Sequence, residues 1–199
     1  MHPAIQAGRV AVITGSASGI GLAAAKAFAS KGLDVVLADL PANLPAATQS
    51  IKTEFPNVKV LPVETDVSQF SSLVALKQKV ESEFAGKDLG ILMLNAGVGK
   101  PTAPFAREGL DQETLRQNYE TILNTNMWGV INGVQAFLPD LVKQKTPNAV
   151  ICTGSKQVSR YLSPQLTSGN HQSPWKSRVQ HLQNGRQVFR RVASPRSQN

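Results

Sequence analysis

The residues best suited to chemistry begin at Thr14-Gly15-Ser16-Ala17-Ser18-Gly19-Ile20-Gly21, between an apolar run at residues 10–13 and an alanine-rich segment at 22–30. An apolar run, then glycines, then helix formers reads as a buried strand, a tight turn and a helix start. Glycines let the backbone turn sharply and approach an anion closely, while the first N–H groups of the helix face it along a favourable dipole. The turn is therefore a candidate phosphate cradle, with Gly15, Ser16, Ser18, Gly19, Ile20 and Gly21 as its binding residues. The alternative is a tight connection that binds nothing.

Further candidates follow at the ends of later apolar runs. Asp39, before Leu40, lies 18 residues beyond Gly21. A carboxylate there can accept hydrogen bonds from adenosine ribose hydroxyls and repels a 2′-phosphate, which favours NAD over NADP. An exposed strand-end acid is the other reading. Asp66-Val67 precedes Ser68, which reads as a helix cap. Asn95-Ala96-Gly97 follows the fourth run; its small residues leave room for an adenine ribose, and the Asn amide can tie neighbouring strands. Asn126 falls on the apolar stripe of a long helix, where a buried amide must find partners. Ser155 closes the fifth run, and no base stands near it in sequence to make it a nucleophile.

The turn, with its leading Thr14, resembles the Thr-Gly-x-x-x-Gly-x-Gly signature of the short-chain dehydrogenase/reductase family. Asp66-Val67, Asn95-Ala96-Gly97 and Asn126-x-x-Gly-Val extend the likeness over residues 10–155, although the family's Asn-Asn-Ala-Gly has its first Asn replaced by Leu94. The resemblance implies a nicotinamide dinucleotide cofactor and hydride transfer between an alcohol and a carbonyl, with a small-molecule substrate. It implies adenine contacts for Asp66 and Val67, a relay water held near Asn126, and a substrate carbonyl hydrogen-bonded by a catalytic Ser155. Members often form dimers or tetramers through long helices, so a homo-oligomer is an open expectation.

The family next carries Tyr-x-x-x-Lys about thirteen positions after that serine. A tyrosine of pKa about 10 must be tuned by a nearby cation before it exchanges protons readily near neutrality. Here Tyr161 comes too early, and Gln165 stands four residues after it. From Val158 onward Pro, Ser, Gln and Arg accumulate, and all eight basic residues after Ser155 lack an acidic counterpart, whereas the preceding chain is charge-balanced. We expect two parts, a dinucleotide-binding domain at 1–157 and a basic tail at 158–199. Back-translation offers an origin for the tail. Read from the second base of the Gly169 codon, permitted codons through Phe189 spell Gly-Ile-Thr-Asn-Pro-Pro-Gly-Asn-Pro-Gly-Tyr-Asn-Ile-Cys-Lys-Thr-Ala-Gly-Lys-Ser, with wobble bases free. Joined after Gln157, that text restores both the tyrosine and the lysine at the family spacing. The expectation is unspliced or misassigned sequence followed by frame-shifted reading.

Five apolar runs, at residues 10–13, 35–38, 58–61, 91–94 and 149–152, must position these groups. Helix-length segments at 20–30, 42–55, 71–84 and 113–143 separate them, and such alternation predicts an α/β fold, a Rossmann-type doubly wound parallel sheet in three layers. The fold is expected to be incomplete at its C-terminal end, leaving the fifth strand as an unpaired edge. On the last helical segment Leu115, Tyr119, Ile122, Met127, Val130, Ile131, Val134 and Leu138 predict one continuous buried stripe. Gly129 and Gly133 on that helix suggest close packing on the sheet or cofactor. With 41% hydrophobic and 17% charged residues the composition is that of a soluble domain. One cysteine, Cys152, and no membrane-length apolar stretch favour the cytoplasm. The net charge of +8 resides in Lys156 to Asn199, whose scattered cations and lack of regular aromatics argue against nucleic-acid binding.

Overall fold

A computed structural model describes residues 2–99 and 111–154. The chain divides into two units, Met1–Thr153 and Gly154–Asn199, and the described residues belong to the first, Gly154 apart. Ser155 and the basic tail lie outside the described residues, as does most of the long connection after the fourth strand.

Within the first unit, strands and helices alternate as β1 Val10–Thr14, α1 Gly19–Ala29, β2 Asp34–Asp39, α2 Leu44–Glu54, β3 Val60–Glu64, α3 Phe70–Glu83 and β4 Leu89–Leu94. After the connection come α4 Gln112–Leu123, a π turn Asn124–Trp128, α5 Gly129–Lys143 and β5 Ala149–Cys152. All pairings are parallel, in the order β3-β2-β1-β4-β5. Strand pleating divides the core into two layers. Ala11, Ile13, Val35, Leu37, Ile91 and Met93 face Ala25 and Ala29 of α1 and Ala47 and Ile51 of α2. Val12, Val36, Ala38, Leu92 and Leu94 face Leu73, Leu76 and Val80 of α3 and Phe137 and Leu141 of α5. This is the expected Rossmann-type arrangement. Winding runs outward from β1 to β3, then crosses back to β4, so loops diverge between β1 and β4 and open a crevice at the strands' carboxyl ends.

β3 starts two residues later than its apolar run. The reason is local: Val58 N–H donates back to Phe55 (3.3 Å) and Lys59 N–H donates to the Asp34 carboxylate (2.7 Å), so residues 56–59 serve as a turn. β3 is an edge strand and carries Pro62 at its middle, opposite Leu37. At the other flank β5 is the last strand among the described residues.

The expected stripe on the long helix is not the buried one. None of its eight residues is buried, and Met127 and Ile131 are exposed. The sheet instead receives Gly129, Asn132, Gly133, Ala136, Phe137 and Leu141. Two features rotate the face. The π turn inserts a wider loop of backbone into the helix, which breaks a stripe counted at constant helical steps. Small residues then let α5 come so close that a Cβ on Gly133 would lie 2.4 Å from Leu94 Cδ2, and one on Gly129 2.6 Å from Val67 Cγ2. α4 buries no residue; its start is fixed by the Asp111 carboxylate, which accepts from Glu113 N–H (3.3 Å) and Thr114 N–H (3.0 Å).

Ser68 does not cap α3. The residue before that helix is Gln69, and the Ser68 hydroxyl instead donates to Asp66 Oδ1 (2.7 Å). At the far end of α3, Glu83 accepts from Lys59 Nζ (2.9 Å) and pairs with Lys79 (2.9 Å), which fastens the helix to the start of β3. The Lys59 ammonium also sits over the Phe84 ring, 4.7 Å from its centroid.

Replacing Phe137 by Ala should cost about 3–5 kcal/mol of unfolding free energy, whereas Ile131→Ala should stay within about 0.5 kcal/mol. Urea titrations of the two variants decide which face of α5 is buried. A pH series tests the Glu83 clamp. Its hydrogen bonds to Lys59, then Lys79, lower the carboxyl from the ordinary 4.5 to about 2. The folded state thus binds that proton less readily, so the contribution is complete above about pH 4.5 and fades as pH falls toward 2. The urea midpoint of the wild type should exceed that of Glu83→Gln at pH 6, and the gap should narrow by pH 3.

Candidate functional site

A cleft of about 330 Å³ opens at the carboxyl ends of the strands. The sheet order lays its walls in a row. Thr65, Asp66 and Val67 after β3 come first, then Asp39 at the end of β2 with Leu40 beyond it, then Gly15, Ser18, Gly19 and Ile20 after β1, and finally Asn95 to Val98 after β4. Thr125 and Thr153 complete it. Most residues picked out by motif are therefore gathered in one place.

The β1–α1 turn depends on two close backbone approaches. Gly15 has φ +63°, and a side chain there would meet Ala96 Cα at 2.6 Å. A Cβ on Gly21 would lie 2.0 Å from the Gly15 carbonyl oxygen, so only glycine lets α1 start against its own preceding loop. Ser18 precedes α1 without capping it, so its side chain leaves the first-turn N–H groups open to a ligand. Gly21 thus stands behind the cleft rather than in its wall. Ser16 is buried, and its hydroxyl donates to the Ala38 carbonyl (3.4 Å), so it supports the turn.

Asp39 braces the same turn. One carboxylate oxygen accepts from Ala17 N–H (2.7 Å) and the other from Leu40 N–H (2.8 Å). Each oxygen keeps a second lone pair, so the half-buried carboxylate can still accept from a hydroxyl.

β1 and β4 are joined where their ladder ends. Thr14 Oγ1 accepts from Asn95 N–H (2.9 Å) and Ala96 N–H (3.1 Å), and Asn95 Nδ2 donates to the carbonyls of Thr14 (3.2 Å) and Gly15 (3.1 Å). Thr153 Oγ1 adds β5 by donating to Asn95 Oδ1 (3.0 Å). The amide of Asn95 is thereby fully committed to structure on its sheet side.

Asn126 occupies the π turn and is exposed, not a core amide. Its Oδ1 accepts from Val98 N–H (2.7 Å) while its Nδ2 donates to the Val98 carbonyl (3.0 Å). This two-point grip holds the loop leaving β4. Asn132, which the motifs did not flag, donates to the Val67 carbonyl (3.0 Å) on the opposite side of the cleft. The sequence also gave no motif for Thr65, Val98, Thr125 or Thr153; the one available signal was their position directly beside a strand end or a candidate residue. Cys152 is exposed, and partial desolvation raises the pKa of its thiol.

The sequence pattern of the short chain dehydrogenase family matches residues 9–165, more than three-quarters of the chain. The chain belongs to the short chain dehydrogenase family. Relatives agree. A 3-oxoacyl-[acyl-carrier-protein] reductase of Thermotoga maritima is 30% identical over 162 residues, which cover 81% of this chain and 61% of that protein. A short chain dehydrogenase/reductase from Burkholderia phymatum, solved in complex with NAD, superposes with a TM-score of 0.66 at 31% identity over 79% of this chain and 52% of that one. A short chain oxidoreductase from Pseudomonas aeruginosa PAO1, solved with NADPH bound and described as having an atypical catalytic center, gives 0.65 at 29% identity, covering 77% and 56%. The chain thus spans between half and two-thirds of the length of these family members.

Replacing Thr14 by Val keeps its shape and orphans two backbone N–H groups. Each lost acceptor should cost about 1–3 kcal/mol in a denaturant titration. The exposed partner Thr153, changed to Val, should cost less than about 1 kcal/mol by the same measurement.

Proposed function

We propose that the cleft holds NAD, and that the chain derives from an oxidoreductase that moves hydride between a nicotinamide ring and a small alcohol or carbonyl substrate. One observation carries the reading: the Asp39 carboxylate stands on the cleft wall beside first-turn N–H groups that no side chain caps. The open N–H groups suit a pyrophosphate and the acid suits ribose hydroxyls. The same acid disfavours a 2′-phosphate, which selects NAD over NADP. The residues present therefore fit the dinucleotide: Gly15, Ser18, Gly19 and Ile20 would receive the phosphates, Asp39 and Leu40 the adenosine ribose, and Asp66 and Val67 the base. Asn95, Ala96 and Gly97 would leave room for the same adenine ribose. When bound, the nicotinamide supplies a hydride donor or acceptor.

For the substrate side we assign Ser155 to hold the carbonyl, and Asn126 to shape the loop at Val98 near which the proton relay would run. The chain has no Tyr-x-x-x-Lys at the family spacing to provide the proton. We infer that the tail arose by frame-shifted reading, and that the chain as written binds its cofactor without turning it over. A reducing compartment, the cytoplasm, suits its lone cysteine. Among the described residues no helix is long and apolar enough to cross a membrane.

Calorimetry tests the binding arm. NADH should bind at least about tenfold more tightly than NADPH, a difference of about 1.4 kcal/mol. Folded protein that gives no heat with either would refute the assignment. Sequencing the transcript around the codons for Gln157 to Gly169 tests the other arm: a mature message with an uninterrupted frame matching this tail rules the frame shift out. The frame-restored protein should oxidise NADH with a panel of ketones, and the present chain should not.

A further inference from the structure

α5 meets the cleft through one buried polar side chain that the dinucleotide assignments leave unused. Asn132 is 8% exposed, lies between Gly129 and Gly133 in the face turned to the sheet, and has no covalent or ionic chemistry of its own to offer. Its Nδ2 donates to the Val67 carbonyl at 3.0 Å and reaches the Ser68 carbonyl at 3.4 Å. These are two successive peptide groups of the loop that follows β3, and Thr65, Asp66 and Val67 of that loop form the end wall of the cleft.

The loop's remaining bonds lie elsewhere. Thr65 N–H donates to the Asp39 carbonyl (2.9 Å), Gln69 N–H to the Asp66 carbonyl (3.1 Å), and Asp66 binds Ser68 and Ser72. They shape the loop and tie its first residue to β2, but leave Val67 and Ser68 without a bond to the sheet. α5 supplies that restraint from the far side. Gly129 lets the helix touch Val67, with no room for even a methyl group, and Asn132, one turn later, grips the carbonyl just behind it. Contact and hydrogen bond together fix both the height and the orientation of the wall.

We propose that Asn132 is a positioning residue for the nucleotide base: it acts through Val67 and Ser68 to set the wall against which the base lies. This rests on the proposed seating of the dinucleotide, with its phosphates on the β1–α1 turn and its adenosine toward β3. A buried amide held by two carbonyls costs its partners dearly when it is removed, because their lone pairs are then left unpaired in the interior. The turn that would take the phosphates lies across Asp39 from this wall and makes no bond to Asn132. Loss of Asn132 should therefore be felt at the base and not at the phosphates.

The test uses the full chain and two probes, ADP and inorganic pyrophosphate, titrated by calorimetry into wild type, Asn132→Ala and Gly129→Ala. Removing a supporting side chain of this kind should weaken ADP about tenfold and leave pyrophosphate within about twofold. Asn132→Ala that binds ADP as tightly as wild type, or that loses both probes in equal measure, overturns the proposal. Should Asn132→Ala fail to fold by circular dichroism, Gly129→Ala carries the same comparison, since it keeps the amide and displaces Val67 from below. Selective loss of ADP in that variant supports the proposal, and equal loss of both probes, or of neither, overturns it. Wild-type protein that binds neither probe overturns the dinucleotide reading and this inference with it. Wild type that binds both, beside variants that also bind both, sinks the inference alone.

Discussion

Where β1 and β4 run out of ladder, a threonine hydroxyl and an asparagine amide take over the work of backbone pairing. The side chains of Thr14 and Asn95 make four hydrogen bonds, two with each other's residue and one each to Ala96 N–H and the Gly15 carbonyl, at the point where the two loops leave in different directions. A crevice in a parallel sheet exists only because adjacent strands send their connections to opposite faces, and that divergence strips polar backbone of its partners. The side chains of Thr14 and Asn95 satisfy those groups while keeping the gap open. Gly15 and Gly21 complete the arrangement, because any side chain on either would collide with backbone that the knot holds in place. The cleft is thus a by-product of strand order, made tenable by two polar residues and two residues without side chains.

The long helix plays a second part in the same architecture. It touches two cleft loops at three points: Asn126 grips Val98 after β4, while Gly129 abuts Val67 and Asn132 binds the carbonyls of Val67 and Ser68 after β3. Gly133 lets it settle on Leu94, the last residue of β4. Lys77 of α3 pairs with Asp140, which adds a tie on the outer side of the layer. A helix that carried bulky residues on this face would stand too far off for an amide to reach a loop backbone. Close approach comes first, and the polar contacts follow from it.

That order explains which parts of the structure could be read from the sequence. Runs such as Val35 to Ala38 and Ile91 to Leu94 announced themselves because strands buried on both sides must be apolar throughout. The Gly15 to Gly21 turn was legible because backbone approach leaves glycine no substitute. The helix face was misread, since hydrophobic periodicity looks for large side chains and this interface is built from Gly129, Asn132, Gly133 and Ala136, with Phe137 and Leu141 beyond them. The π turn at Asn124–Trp128 leaves no mark in composition, yet it resets the phase of everything after it. Ser68 was read as a cap because serine before a helix usually is one; α3 starts at Phe70, one residue too late for it, and Ser68 instead donates its hydroxyl to Asp66. The short chain dehydrogenase motifs located the cleft and included Asn126 and Gly129, which hold its walls from behind, but not Asn132.

Pro62 gives the sheet a polarity that neither its twist nor its composition suggests. It stands in the centre of the outermost strand on one flank, exposed, with no N–H to offer. A newcomer aligning beside β3 would find its hydrogen-bond row interrupted halfway. β5, with Ala149, Val150, Ile151 and Cys152, carries neither a proline nor a charge to interrupt such a row. Lateral extension of this sheet is accordingly biased: among the described strands, Pro62 hinders pairing beyond β3, and β5 carries no such obstacle.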